Sequence, residues 1–315
     1  MPDVVLRAEG LAKRYGDLVA VNNLTLKIYE GEVFGFLGPN GAGKTTSISM
    51  MCGLLKPDAG RVFVHGQPIA GGTASVRTRV GICPQEIILW SHLTCIEQLQ
   101  FIGQMYGVDR HEARRRGDRL LEDLGLVEKR NKQARTLSGG LQRRLNLALA
   151  LVHDPDIVAL DEPEAGLDPQ SRVAVRGYIR QLARNKTVIL TTHNMDEADR
   201  LADRVAIIDH GELLVLDTPQ ALKRSVGEGD VLEITLTGDD AGRELALASL
   251  EGLGGEAIVS AADDSLHVRA RNAVALLPRI VEKLEAAGVS YGEVRLRENT
   301  LEDVFIHLTG RRLRQ

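Results

Sequence analysis

The chain has 315 residues, 43% hydrophobic and 3% aromatic, which fits two globular domains and excludes a disordered or fibrous protein. With 43 acidic side chains against 39 lysines and arginines, its formal net charge of −4 argues against a surface built to neutralise phosphates, and no nucleic-acid partner is expected. Its apolar runs, such as residues 145–152, fall far short of the about 20 residues a membrane helix needs, and no basic-then-apolar signal segment opens it, so a cytosolic location is expected.

Residues 4–11 and 19–28 carry the apolar patterns of strands, with Tyr15-Gly16-Asp17 between them as a turn. Tyr15 is therefore expected on a loop, either stacking on a nucleotide base or as a plain surface tyrosine. Residues 33–37 form an apolar run expected as a buried strand, and lead into Gly38-Pro39-Asn40-Gly41-Ala42-Gly43-Lys44-Thr45-Thr46. That stretch satisfies G-x-x-x-x-G-K-[ST], and residues 46–55 read as the helix the motif requires. Glycines let successive N–H groups point inward, and a helix start adds roughly half a positive charge, so the loop suits a polyphosphate. Lys44 supplies a full charge for β- and γ-phosphates, and Thr45 a hydroxyl for the Mg²⁺ that accompanies them.

Residues 57–60 read as a turn, 62–64 as a short strand, and 80–83 as a strand ending in Pro84-Gln85. From 86 to 132 the pattern turns helical, with Ile96, Leu99, Ile102 and Met105 near a 3.6-residue period. Its basic run, Arg114-Arg115-Arg116 with Arg119, reads as a solvated helix face in preference to a binding patch. Leu137-Ser138-Gly139-Gly140-Leu141 then opens a helix through Val152, making a second anion site by geometry. Residues 157–160 read as a buried parallel strand that delivers Asp161 and Glu162 at its carboxyl end. Residues 187–192 repeat the arrangement and end in His193, so polar groups from several strand ends converge on one crevice.

Past Gly227-Glu228-Gly229 the pattern restarts as strand, helix, hairpin, helix and strand, with the strands at 231–236, 256–259, 265–270 and 291–296. The order βαββαβ implies a small two-layer α+β domain, read as a packing or dimerising module in preference to a ligand sensor. The expected division is 1–227, with a helical subdomain over about 86–150, and 228–315. Cys52, Cys83 and Cys95 lack C-x-x-C spacing and read as buried thiols, supporting neither a disulfide framework nor a zinc site.

Taken together and in order, the phosphate loop, Gln85, Leu137-Ser138-Gly139-Gly140, Val158-Ala159-Leu160-Asp161-Glu162-Pro163, Gly166-Leu167-Asp168 and His193 resemble the nucleotide-binding subunit of ATP-binding-cassette (ABC) transporters. Gln142-Arg143-Arg144 after the signature and the tail Thr300-Leu301-Glu302-Asp303-Val304-Phe305 resemble the drug-resistance and antibiotic-export branch, of the daunorubicin-resistance type. The resemblance implies an α/β P-loop NTPase with a helical insertion, followed by the small α+β domain. It implies an ATP hydrolase that uses Mg²⁺, pairs as a homodimer and powers a separate integral membrane permease from the inner face of the cell membrane, for export.

Within it, Tyr15 would stack on adenine, Lys44 and the loop amides would grip the phosphates, and Thr45, Asp161 and Gln85 would hold the metal. Gln85 would also touch the attacking water, Glu162 would be the base for that water, and His193 would contact the γ-phosphate. Leu137 to Leu141 would close over the ATP of a second copy, with Asp168 at the seam. Trp90 would either line the groove that receives a permease helix or belong to the core of the insertion. Two departures stand out: Leu141 where the family commonly has glutamine, and Glu164, whose carboxylate would raise the pKa of Glu162 if the two approached closely. The rival readings are a cassette ATPase acting on DNA or the ribosome, which usually carries coiled coils, zinc elements or two cassettes, and a small-molecule kinase, which leaves the Leu-Ser-Gly-Gly run unexplained.

Overall fold

A computed structural model describes residues 3–69, 78–226, 230–237, 240–250, 253, 257–262, 265–270 and 273–310. Its first strands, β1 (Val4–Tyr15) and β2 (Leu18–Tyr29), form an antiparallel hairpin in which Tyr15 pairs with Leu18. Tyr15 is thus the last residue of a strand and not a loop residue as expected, because Gly16, at a left-handed φ of +60°, reverses the chain in a minimal turn. β4 (Ala59–Val64) pairs with β1 on its other side, drawing Ala59 and Gly60 out of the expected turn and into the sheet, and β5 (Gln67–Pro68) completes the order β2-β1-β4-β5.

The second sheet holds β3 (Val33–Leu37), β6 (Val80–Cys83), β7 (Ile157–Asp161), β8 (Thr187–Thr192), β9 (Arg204–Asp209) and β10 (Glu212–Asp217), in the order β10-β9-β3-β8-β7-β6. All its pairings are parallel except β9 with β10. Side chains alternate across such a sheet, so apolar runs buried throughout must feed two cores. Phe34, Phe36, Ile157, Ala159 and Ile189 pack with the antiparallel sheet and α1 (Lys44–Met51) on one face. Val33, Val158, Leu160, Val188 and Leu190 pack on the other face with the helices α2 (Cys95–Met105), α4 (Gly139–Leu151) and α5 (Pro169–Leu182).

The insertion is helical over a shorter span than expected. Residues 86–93 are irregular, and α2 begins only where Thr94 and Glu97 close a reciprocal capping box, each satisfying a main-chain N–H of the other. Asp109 caps α3 (Arg110–Asp123), whose Arg115 and Arg116 both reach Glu112, so the basic run is a solvated face as read. Cys52, Cys83 and Cys95 are all buried free thiols.

The chain divides into compact units Met1–Asp217 and Thr218–Gln315, and the glycine pair expected to mark the junction, Gly227 and Gly229, lies outside the described residues. After α6 (Met195–Leu201) in the first unit, the second begins with α7 (Pro219–Ser225). β11 (Asp230–Leu236), α8 (Asp240–Leu250), β12 (Ile258–Ala262), β13 (Ser265–Ala270), α9 (Ala273–Ala286) and β14 (Tyr291–Arg297) follow in the βαββαβ order that was expected. The sheet runs β12-β13-β11-β14, antiparallel throughout, around a core that includes Ile234, Leu266, Ile280 and Leu284.

The tail motif starts α10 (Leu301–Thr309), where Thr300 and Asp303 close a second capping box. Asp303 also receives a bidentate pair from Arg297 at 2.6 and 2.9 Å. Burial alone would raise its pKa; the Arg297 and Thr300 bonds outweigh it and bring the carboxyl down to about 2. Among the described residues, no helix is long and apolar enough to cross a membrane.

Candidate active site

Parallel register makes the site. Leu37 lies opposite Thr192, Thr191 opposite Asp161, and Leu160 opposite Cys83, so β3, β8, β7 and β6 end side by side in that order. The segments they launch are the glycine-rich loop, Thr192-His193, Asp161-Glu162 and Pro84-Gln85, although they are far apart in the chain.

The loop is pinned at two glycines. A Cβ on Gly38 would stand 2.2 Å from the Ile208 carbonyl oxygen, and one on Gly43 would stand 2.2 Å from that of Ala20. Gly43 also has φ +99°, so any other residue there is strained twice over. Ala42 donates its N–H back to Pro39, while Asn40 and Gly41 form the exposed crown. Lys44, at the start of α1, is buried, and its Nζ donates to the carbonyls of Gly38 (2.8 Å) and Pro39 (3.0 Å), 3.9 Å from Glu162 Oε1. Burial holds this ammonium below the usual lysine range, against the pull of Glu162 and Asp161. Thr46, next along the helix, is half-buried.

Thr45 Oγ1 donates to Asp161 Oδ2 at 3.0 Å, and the Thr191 hydroxyl donates to Asp161 Oδ1. Glu162 takes an unusual backbone: φ is +47°, a left-handed conformation costing about 1–3 kcal/mol for a non-glycine residue. Main-chain bonds hold it there, its N–H donating to Thr191 Oγ1 at 3.0 Å and to the Thr191 carbonyl at 3.2 Å. Its side chain is buried and bridges the remaining groups, with Oε1 2.9 Å from His193 Nδ1 and Oε2 3.4 Å from Gln85 Nε2. His193 and Gln85 are exposed. Asn194 caps α6, leaving His193 free of that duty. Thr192 donates at 2.6 Å to Glu197, which burial pushes up to about 7.

Lys44, Thr45, Gln85, Asp161, Glu162 and His193 therefore form one connected cluster. Tyr15 stands apart, 51% exposed, with Lys13 Nζ 5.8 Å from its ring, and among the described residues no bond joins it to the loop. The signature forms a second locus. Ser138 precedes α4 without capping it, Ser138 and Gly139 are exposed, and a Cβ on Gly140 would stand 2.5 Å from Ser171 Oγ. Asp168 caps α5 by accepting the Ser171 N–H at 2.9 Å, which places it beside the signature. Leu137 and Leu141 pack into the core.

Glu164 is buried in a bidentate pair with Arg176 at 2.8 and 2.6 Å, so its charge is matched by its own guanidinium. Sequence reasoning missed Arg176, Thr191 and Arg143, the last read only as part of a basic pair. Thr191 was legible, since it sits one position from the strand end; no local pattern pointed to the other two.

Comparison with known proteins fits this geometry. The family model described as ABC transporter matches residues 21–165. The linearmycin resistance ATP-binding protein LnrL of Bacillus subtilis is 37% identical over 311 residues, covering 98% of this chain and 100% of that protein. The daunorubicin resistance ATP-binding protein DrrA3 of Streptomyces coeruleorubidus is 38% identical over 312 residues, 98% of this chain and 97% of its own length. The Nod factor export ATP-binding protein I of Ralstonia nicotianae is 39% identical over 313 residues, with coverage of 98% and 95%. Among solved structures, a dimeric ATP-binding cassette in a post-hydrolysis state bound to ADP and Pi superposes with a TM-score of 0.62 at 25% identity, over 68% of this chain and 98% of that one.

Proposed function

This chain belongs to the ABC transporter ATP-binding subunits, in the drug-resistance branch, and from that premise we propose that two copies close around two Mg-ATP and drive a separate membrane permease that exports a drug, antibiotic, lipid or similar compound. The chain is an ATP hydrolase. The observation that carries the proposed mechanism is the convergence of Lys44, His193 and Gln85 on the single carboxylate of Glu162.

Phosphoryl transfer needs water placed in line and spreading negative charge neutralised, with little covalent work from the protein. Glu162 takes the proton of the attacking water, and Gln85 and His193 fix where that carboxylate points. His193, half open to solvent on the other side, faces the γ-phosphate. Lys44 exchanges its loop carbonyls for β- and γ-phosphate oxygens. Thr45 and Asp161 offer hard oxygen donors 3.0 Å apart, which suits Mg²⁺, an ion held by one or two carboxylates alongside substrate phosphates. When bound, the ion neutralises charge on the β- and γ-phosphates. Gln85, across Glu162, is the third proposed contact to it.

Tyr15, exposed at the hairpin tip, is available to stack on adenine. Ser138 and Gly139, exposed, and Gly140, half-buried, at a helix start that Ser138 does not cap, are suited to the γ-phosphate on a partner copy, with Asp168 beside them at the seam. Trp90 is 40% exposed and edge-on to Phe101 with centroids 5.4 Å apart, which favours a groove for a permease helix over the core reading. The resistance and export named for the relatives favour export over a role on DNA or the ribosome. The subunit would then sit in the cytoplasm, peripheral to the inner face of the membrane.

Glu162→Gln tests the mechanism. Steady-state hydrolysis should fall about 10²–10⁴-fold while ATP binding persists and an ATP-bound dimer accumulates. Turnover within about threefold of wild type removes Glu162 from this role.

A further inference from the structure

The carbonyls at the ends of β6 and β7 have no strand ladder left to join, because the chain turns away at Pro84 and at the left-handed Glu162. Buried carbonyls of this kind need donors from elsewhere. Arg143, one turn into α4 and 3% exposed, donates to each of them, the Glu162 carbonyl also accepting the Ala165 N–H at 3.1 Å. Its Nη1 donates to Pro84 (2.8 Å) and Gln85 (2.8 Å), its Nη2 to Asp161 (2.7 Å) and Glu162 (2.6 Å), and its Nε to Pro163 (3.2 Å). A guanidinium has five N–H donors in a rigid planar fork, and here each has a main-chain carbonyl. Asn146, one turn further on the same helix face, adds a longer bond to the Pro84 carbonyl at 3.5 Å.

Burying a charge to fill space is costly, and an apolar side chain of similar volume would serve packing better. What only the fork can do is tie two separate strand ends to one helix. We propose that Arg143 is a positioning residue for ATP hydrolysis: it holds Glu162 in its strained backbone conformation, fixes Gln85 relative to it, and joins both to the helix that begins at the signature. A shift of that helix start, as when Ser138 to Gly140 meet a phosphate, is then carried directly to the carboxylate and its glutamine. The inference rests on the roles given above to Glu162 and Gln85.

Arg143→Met and Arg143→Lys, made in the full chain, test it through Mg-ATP affinity and stoichiometry, kcat and KM. For Arg143→Met, kcat per bound nucleotide should fall about 10²-fold with KM and affinity within about threefold, since small misplacements cost rate before they cost binding. Lysine keeps the charge but lacks the fork, so Arg143→Lys should still lose about tenfold or more in kcat. If Arg143→Met does not fold, Arg143→Lys decides by the same measures. Gln85→Ala should cost much less in an Arg143 variant than in wild type, because the two act on one arrangement. Wild-type kcat in a folded Arg143→Met, wild-type kcat in Arg143→Lys, or losses with Gln85→Ala that simply multiply would each overturn the proposal. A purely structural role predicts fewer nucleotide sites of unchanged kcat. Glu162→Gln, run alongside, separates the failures: if it stays active the underlying assignment falls, and if it is dead while the Arg143 variants are normal only this inference falls.

Discussion

Two buried ionisable groups in the first unit should oppose each other in acid, and substituting either should expose the other. His153 is 9% exposed, stacks on Tyr106 with centroids 3.8 Å apart, and has no side-chain hydrogen-bond partner for either ring nitrogen. Burial pulls its pKa down to about 4. Glu197, 4% exposed, is pushed up to about 7 by burial, against the Thr192 bond. Between pH 4 and 6.5 the unfolded chain binds a proton at His153 that the folded one refuses, so this residue makes stability rise with pH, fully by 6.5. Between pH 4.5 and 7 the folded chain keeps a proton at Glu197 that the unfolded one has lost, so this residue makes stability fall as pH rises. Each shift corresponds to at most about 3 kcal/mol, and over the shared window they cancel in the wild type. His153→Phe, which keeps the ring stack, and Glu197→Gln, which keeps an acceptor for Thr192, separate them. Urea unfolding followed by the fluorescence of Trp90, the sole tryptophan and a residue of the first unit, measures each at several pH values. Relative to wild type, His153→Phe should lose about 3 kcal/mol from pH 4 to 6.5 and Glu197→Gln should gain about as much from 4.5 to 7. Glu32, also raised by burial, is common to all three proteins and drops out of the differences. Parallel profiles, within about 0.5 kcal/mol across the window, would refute the assignment of these protons.

A chain ending at Asp217 should fold and bind Mg-ATP, since both cores of the first unit are built from residues before the junction; a random-coil circular dichroism spectrum at saturating nucleotide would count against this. Arg297→Met leaves the buried Asp303 carboxylate without its bidentate partner and should destabilise the second unit by about 3–5 kcal/mol, read by calorimetry; in the wild type, stability that Asp303 provides above its ordinary carboxylate range should be lost as pH falls toward 2. In heterodimers carrying Glu162→Gln throughout, Lys44→Ala on one subunit and Ser138→Arg on the other should still trap one ATP, whereas both substitutions on one subunit should trap none; equal trapping in the two arrangements contradicts shared sites.

What could be read from the sequence were features whose physics is local. The phosphate loop announces itself because a Cβ on Gly38 or Gly43 would stand 2.2 Å from a backbone carbonyl oxygen, and a loop so confined tolerates few residues. The strand bearing Asp161 and Glu162 was legible because burial on both faces leaves an unbroken apolar run. The limits of the helical insertion were less so: residues 86–93 keep apolar spacing without being helical, and only the Thr94 box marks the start. Least legible were residues whose partners are distant in sequence and main-chain in kind. Arg143 lies some 58 positions from Gln85 and addresses its carbonyl, which every residue possesses, so no pairing of side chains could reveal the contact. Glu164 shows the converse, since its neighbour in sequence, Glu162, suggested a repulsion that the distant Arg176 answers. A site made where parallel strands end is therefore half visible in advance: the groups proposed to touch ATP occupy the strand ends and show in the sequence, while Arg143, proposed to aim them, arrives from the next layer and does not.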